Sequence, residues 1–138
     1  MDTLAALYAP GSPEANYWQA RHRLATTARR LNEKLVSADI TPELADTIRE
    51  DLERIAARLE TCEQVSGLVE MGRKADRGTV DNVMGELVAM AGRSHPCAPQ
   101  LTWQEELNQI TGTVIFGQAF EGPPGHAHGG WVAGILDH

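Results

Sequence analysis

Gly125-His126-Ala127-His128-Gly129-Gly130-Trp131-Val132-Ala133-Gly134-Ile135-Leu136-Asp137 is the stretch on which the reading of this chain turns. A glycine-rich turn runs into an apolar pattern of helical spacing that carries one carboxylate, Asp137. The spacing predicts a helix starting at Gly129 or Gly130. The first amides of a helix have no internal acceptor and carry the positive end of its dipole, so they suit an anion. Glycine at 129 lets a carbonyl approach the backbone without meeting a Cβ. Trp131, Val132, Ile135 and Leu136 form a broad apolar side, while Gly130, Ala133, Gly134 and Asp137 form a narrow one. Small residues on that narrow side permit close approach of another backbone, such as a symmetry-related helix.

Spacing bears on mechanism. Gly129 and Asp137 lie about 12 Å apart along a helix axis at ~1.5 Å per residue. One amide and one carboxylate so far apart do not serve the same reacting carbon. If both act, Gly129 comes from one subunit and Asp137 from its neighbour.

Upstream, Glu121-Gly122-Pro123-Pro124-Gly125 ends a strand and turns the chain. Thr111 to Phe120 is predicted as that strand, with Val114, Phe116 and Phe120 on one face and Ile115 and Ala119 on the other. Leu101, Trp103 and Glu105 predict a shorter strand before it, and Asn108 sits where the hairpin turn falls. Ser94-His95-Pro96-Cys97-Ala98-Pro99 is a loop whose prolines end any preceding helix. Gly67, Gly72, Gly78 and Gly85 break the middle of the chain into loops.

The first half reads as helix. Ser12-Pro13-Glu14 and Thr41-Pro42-Glu43 are both start signals: a hydroxyl cap, proline at the first helical position, then an acid. Trp18, Leu24, Ala28, Leu31 and Leu35 recur at helical spacing after the first signal. Leu44, Ile48, Leu52, Ile55 and Leu59 do so after the second. The spacing predicts two amphipathic helices joined around Ser37 to Thr41. Such a pair needs an apolar partner surface, or it self-associates, and it places no residue for chemistry.

Bulk properties set the limits. A chain of 138 residues is one domain at most. A net charge of -7 argues against a nucleic-acid partner, since phosphate binding needs clustered cations. Cys62 and Cys97 form no CxxC motif and have no zinc-site companions, so reduced thiols are expected. Met1 to Tyr17 carries no cationic stretch followed by an apolar segment, and no run approaches the ~20 apolar residues of a membrane span. A cytoplasmic protein with no membrane association is expected. His126 and His128, with Asp137 and His138 downstream, lack the helical histidine spacing of zinc hydrolases, so no metal is expected.

Phe120-Glu121-Gly122-Pro123-Pro124-Gly125, then His128-Gly129-Gly130 and then Asp137, resembles the hotdog-fold acyl-CoA thioesterases of the PaaI and 4-hydroxybenzoyl-CoA thioesterase type. Asn82-Val83-Met84-Gly85, Ala98-Pro99 and the Val114 to Phe120 strand also fit that family. The resemblance runs from about Asn82 to His138 and is clearest from Thr113 onward. It implies an α+β fold: a helical N-terminal extension over residues 1–80 and an incomplete hotdog domain over residues 81–138, the chain itself being mostly helical. It implies hydrolysis of an acyl thioester without cofactor or metal, by a homodimer or homotetramer that shares sites between subunits. The Gly129 amide would polarise the thioester carbonyl and His128 would shape the turn, with Gly125 and Gly130 contacting the substrate. Asp137 would attack the carbonyl or activate water, its basicity raised by burial.

This sequence departs from the family in two ways. The polar Asn or Gln that many relatives place before His-Gly-Gly is replaced by Glu121-Gly122-Pro123-Pro124. The chain also carries only the first strand or two and the start of the central helix, so it reads as the N-terminal portion of a thioesterase, not expected to turn over substrate alone. Exposed apolar helix and unpaired strand edges would favour association. The second reading is a non-catalytic helical interaction module, or remnant, that keeps the motif without the chemistry. Acyl preference and the choice between coenzyme A and an acyl carrier protein stay open.

Overall fold

The computed structural model describes residues 8–137. His138 and residues 1–7, part of the segment read above for a leader, lie outside it. The fold is α+β and dominated by helices, with one two-stranded antiparallel sheet. Five helices are described: α1 (Pro13–Ser37), α2 (Pro42–Glu60), α3 (Gly67–Gly72), α4 (Val80–Leu87) and α5 (Gly129–Leu136). The strands are β1 (Gln100–Glu106) and β2 (Gln109–Ile115), and a 3-10 turn covers Gln118–Phe120.

Both long helices start where their caps dictate. The Ser12 hydroxyl accepts the Ala15 amide at 3.1 Å, and the Thr41 hydroxyl accepts the Leu44 amide at 3.3 Å. Each satisfies an amide that the helix leaves without a carbonyl partner, and proline follows where its missing N–H costs nothing.

The middle of the chain is more ordered than its glycines suggest. Instead of loops, it forms α3 and α4, packed on each other. Thr79 and Asn82 close a reciprocal capping box at the start of α4. Gly85 lies inside that helix.

The core is small and sits on the first half of α1. Trp18, Ala15 and Ala25 are buried there with Val83 of α4 and with Ala91 and Ala98 of the following loop. The Trp18 indole N–H donates to the Arg77 carbonyl at 2.9 Å, which spares a buried donor the cost of going unpaired. Beside it the Arg77 guanidinium stacks 3.4 Å from the centre of the Tyr17 ring. Residues on both sides of position 80 therefore share this core.

β1 and β2 form a hairpin with Trp103 opposite Gly112 and a two-residue turn at Leu107 and Asn108. The Trp103 ring covers Gly112 so closely that a Cβ there would lie 2.5 Å from it. The second strand stops at Ile115, short of the Phe120 that alternation predicts. Gly117 instead comes against the Glu33 side chain of α1, and the Glu33 carboxylate accepts the Ala119 amide at 3.3 Å. That tertiary contact bends the chain into the 3-10 turn. No described helix is long and apolar enough to cross a membrane.

Candidate functional site

The turn between the sheet and α5 is built from the backbone up. Glu121 and Ala127 form an isolated antiparallel bridge, flanked by Gly122 N–H to His126 carbonyl and His128 N–H to Phe120 carbonyl, both at 2.8 Å. Inside this loop Gly125 adopts φ +78, a left-handed conformation that favours glycine. Its amide donates to the Glu121 carboxylate at 2.6 Å. Gly122 approaches the His128 backbone so closely that a Cβ would lie 2.9 Å from the His128 Cα. The loop is thus short, closed and glycine-dependent.

His128 is the N-cap of α5. Its Nδ1 accepts the Gly130 amide at 3.0 Å, which places the proton of the neutral ring on Nε2. The Trp131 amide donates to the His128 carbonyl at 3.0 Å. The Gly129 amide is left: among the described residues nothing accepts from it, and a Cβ built at Gly129 meets no atom within 4 Å. Gly129 is exposed.

α5 is anchored by Trp131, whose ring meets Phe120 edge-on with centroids 4.9 Å apart, and Phe120 in turn touches Phe116. A cleft of about 350 Å³ opens beside this pair, lined also by Val36, Leu35, Pro96 and Cys97. Val132 and Leu136 remain exposed on the apolar side. On the narrow side Gly134 receives the Met90 side chain, so at that point the close neighbour within the chain is a thioether.

The expected site residues therefore divide. Gly125, His128, Gly129 and Gly130 come together in one turn, while Asp137 lies at the opposite end of α5 as its C-cap. Asp137 is exposed, its amide bound to the Ala133 carbonyl at 3.0 Å. The apolar burial that would raise its basicity is not provided within one protomer. Among the described residues no three His, Cys, Asp or Glu side chains gather in a metal-binding group.

A second cluster escaped the sequence reading. Glu86, on the buried face of α4, is wholly inaccessible to solvent. Its carboxylate meets the His22 Nε2 at 2.6 Å, accepts the Ser94 hydroxyl at 2.8 Å and pairs with the Arg93 guanidinium. Burial opposes its ionisation more than any other single influence. The His22 hydrogen bond, the Arg93 charge and the Ser94 hydroxyl together outweigh that, and its carboxyl is held below the usual range. Tyr8, whose hydroxyl lies 3.5 Å away, is pushed up to about 12 by burial and by the Glu86 charge. Nearby, one Arg29 nitrogen serves the carbonyls of Gly92, Arg93 and His95, tying the loop after α4 onto α1. The only sequence signal was an acid three residues after Val83, on the face that the helix buries.

No family model, no curated protein and no solved structure matches this chain.

Proposed function

We propose that the turn at His128-Gly129-Gly130 is the oxyanion-binding part of an acyl-thioester hydrolase, most simply one acting on acyl-CoA. The observation that carries this reading is the open, unaccepted Gly129 amide at the N-terminus of α5. A helix N-terminus stabilises negative charge, and a donor already fixed in place needs no reorganisation as that charge develops. The His128 cap supports the reading by holding the turn and taking the Gly130 amide out of play. The cleft beside Trp131, largely apolar but with Arg29, Asn32 and Glu33 also on its walls, offers room for part of an acyl chain.

Asp137 of a second protomer would complete the chemistry, so turnover is expected of the assembled oligomer and not of a single chain. Its carboxylate either attacks the thioester carbonyl or removes a proton from attacking water. The carbonyl oxygen gains charge against the Gly129 N–H, and the C–S bond then breaks. The sulfur leaves as a thiolate that takes up a proton, giving free acid and thiol. The direct-attack route needs a further hydrolysis of the enzyme-bound anhydride. No metal or cofactor enters either route.

A proline substitution tests this cleanly. Gly129 is the first helical residue, where proline is well tolerated, and His128 has the extended φ -64 and ψ 127 that a residue before proline needs. Gly129→Pro thus removes the N–H and keeps the helix. Binding of an acyl-CoA analogue with methylene in place of sulfur should weaken several-fold, as expected for one lost hydrogen bond of ~1 kcal/mol. Thiol release from acyl-CoAs should fall by ~10²–10³, the cost of one oxyanion donor, and should be lost in Asp137→Ala. A folded chain that neither binds the analogue nor releases thiol contradicts the proposal.

The second reading, a helical interaction module, is favoured by a different observation: α2 contains no buried residue, although its apolar stripe is continuous.

A further inference from the structure

The uncovered apolar stripe of α2 has a pattern that suits one particular occupant. Ala45, Leu52 and Leu59 fall at one core position of a seven-residue repeat, and Ile48 and Ile55 at the other. Leu59 and Ile55 are more than half exposed, at 55% and 52%, while Ile48 and Leu52 are only half-covered, beside Leu35 and Ile40 from the end of α1 and the following link. We propose that this face binds the α2 of a second copy of this chain in antiparallel orientation, forming a two-helix seam at the centre of a homodimer.

Two features of the sequence on that helix select the second copy and the orientation. The first is register. An antiparallel pairing that sets Ile48 against Leu59 of the partner subunit also sets Leu52 against Ile55 of the partner subunit. By two-fold symmetry the same two layers recur, so the four central layers are each filled by two large aliphatic side chains, with Ala45 at the outer edge of the seam. The second is charge. The first half of α2 carries Glu43, Asp46, Glu50 and Asp51 against Arg49 alone, whereas the second half balances Glu53 and Glu60 with Arg54 and Arg58. Parallel pairing would place the two acidic halves side by side and align the helix dipoles. Antiparallel pairing brings Asp51 beside Arg58 of the partner subunit, once on each side of the axis. Asp51 already holds Arg54 at 2.8 Å within its own helix, so the seam would be flanked by a charge network. The proposal concerns α2 alone and does not rest on the hydrolase reading.

Cys62 supplies the test. It is exposed just beyond α2, and the same register places it opposite Ala45 of the partner subunit. The full chain carrying Ala45→Cys and Cys97→Ser should form an intermolecular disulfide between positions 45 and 62 under mild copper–phenanthroline oxidation, identified by peptide mapping. Sedimentation of the unaltered chain at micromolar concentration should show twice its 15.0 kDa mass. Ile55→Glu should shift it to monomer with an unchanged far-UV circular dichroism spectrum, because that side chain is not part of the core. A monomeric unaltered chain, a dimer indifferent to Ile55→Glu, or cross-linking only between two copies of Cys62 would each overturn the proposal. Thiol release is not measured, so this test and that of the hydrolase reading fail separately.

Discussion

The His128 Nδ1 accepts the Gly130 amide at 3.0 Å, and this bond decides which amide of α5 is left to meet a ligand. A side chain at the N-cap satisfies one orphan donor and leaves its neighbour pointing outward. Here the neighbour is Gly129, whose amide finds no acceptor among the described residues and which has open space around it.

His128→Ala should therefore loosen the turn before it affects anything else. Loss of a capping side chain costs ~0.5–2 kcal/mol, and in a helix of only 8 residues that is enough to increase fraying. Amide hydrogen exchange should accelerate in α5 and leave α1 unchanged. His128→Asn, which restores a capping acceptor, should recover most of the protection.

Glu86 should give the fold its acid sensitivity. Its carboxyl titrates below the ordinary 4.5 in the folded chain, so the folded state favours the ionised form. The stability this contributes is fully present above pH 4.5 and is lost as pH falls through the lower folded value. Thermal melts across pH 3 to 7 should show a midpoint that drops in that acid window. Glu86→Gln should flatten the drop, and should cost about 2–4 kcal/mol at neutral pH because Arg93 and His22 lose a buried counter-charge.

Trp18 should matter more than any other apolar side chain. It is fully buried in a core otherwise made mostly of alanine and one valine. Trp18→Ala should cost ~3–5 kcal/mol, a large part of the stability of a domain this size. Trp18→Phe keeps most of the buried area but leaves the Arg77 carbonyl without its donor, and should cost ~1–2 kcal/mol. Chemical denaturation midpoints would rank the two.

Gly117→Ala should disrupt the bend that separates β2 from α5. The added methyl would collide with the Glu33 carboxylate, and the hydrogen bond from Ala119 would be displaced with it. The Glu33 carboxylate can swing aside, so the expected loss is that of its hydrogen bond to Ala119, about 0.5–1.5 kcal/mol. Glu33→Ala should relieve the clash in the double variant while sacrificing the hydrogen bond, so the two changes should not add.

What could be read in the sequence was local chemistry. The starts of α1 and α2 were legible because Ser12-Pro13 and Thr41-Pro42 act on amides within three residues of themselves. The start of α5 was legible for the same reason, as was the hairpin turn near Asn108. α4 was not, because its box closes on Asn82 where Glu or Gln is the usual sign, and because Gly85 reads as a breaker. The end of β2 was also illegible: the residue that bends the chain there, Glu33, is 86 positions from the amide it receives. Distance in sequence hid the Glu86 cluster too, since Tyr8 and His22 come from one end of the chain and Arg93 and Ser94 from another. Within the candidate site, Gly125, His128, Gly129 and Gly130 share one turn because they are neighbours in the sequence. The exposure of Asp137 and the seating of Met90 on Gly134 needed the tertiary structure.

The most direct test of a site shared between protomers is complementation. Gly129→Pro and Asp137→Ala chains would be unfolded together, refolded as a mixture and assayed for thiol release from acyl-CoA. Each variant alone lacks one half of every site, but in an equal mixture half of the dimers are mixed and each of these regains one intact site of its two, so about a quarter of the unaltered rate should return. Recovery to that level is the predicted result. A mixture no more active than its parents would contradict the account.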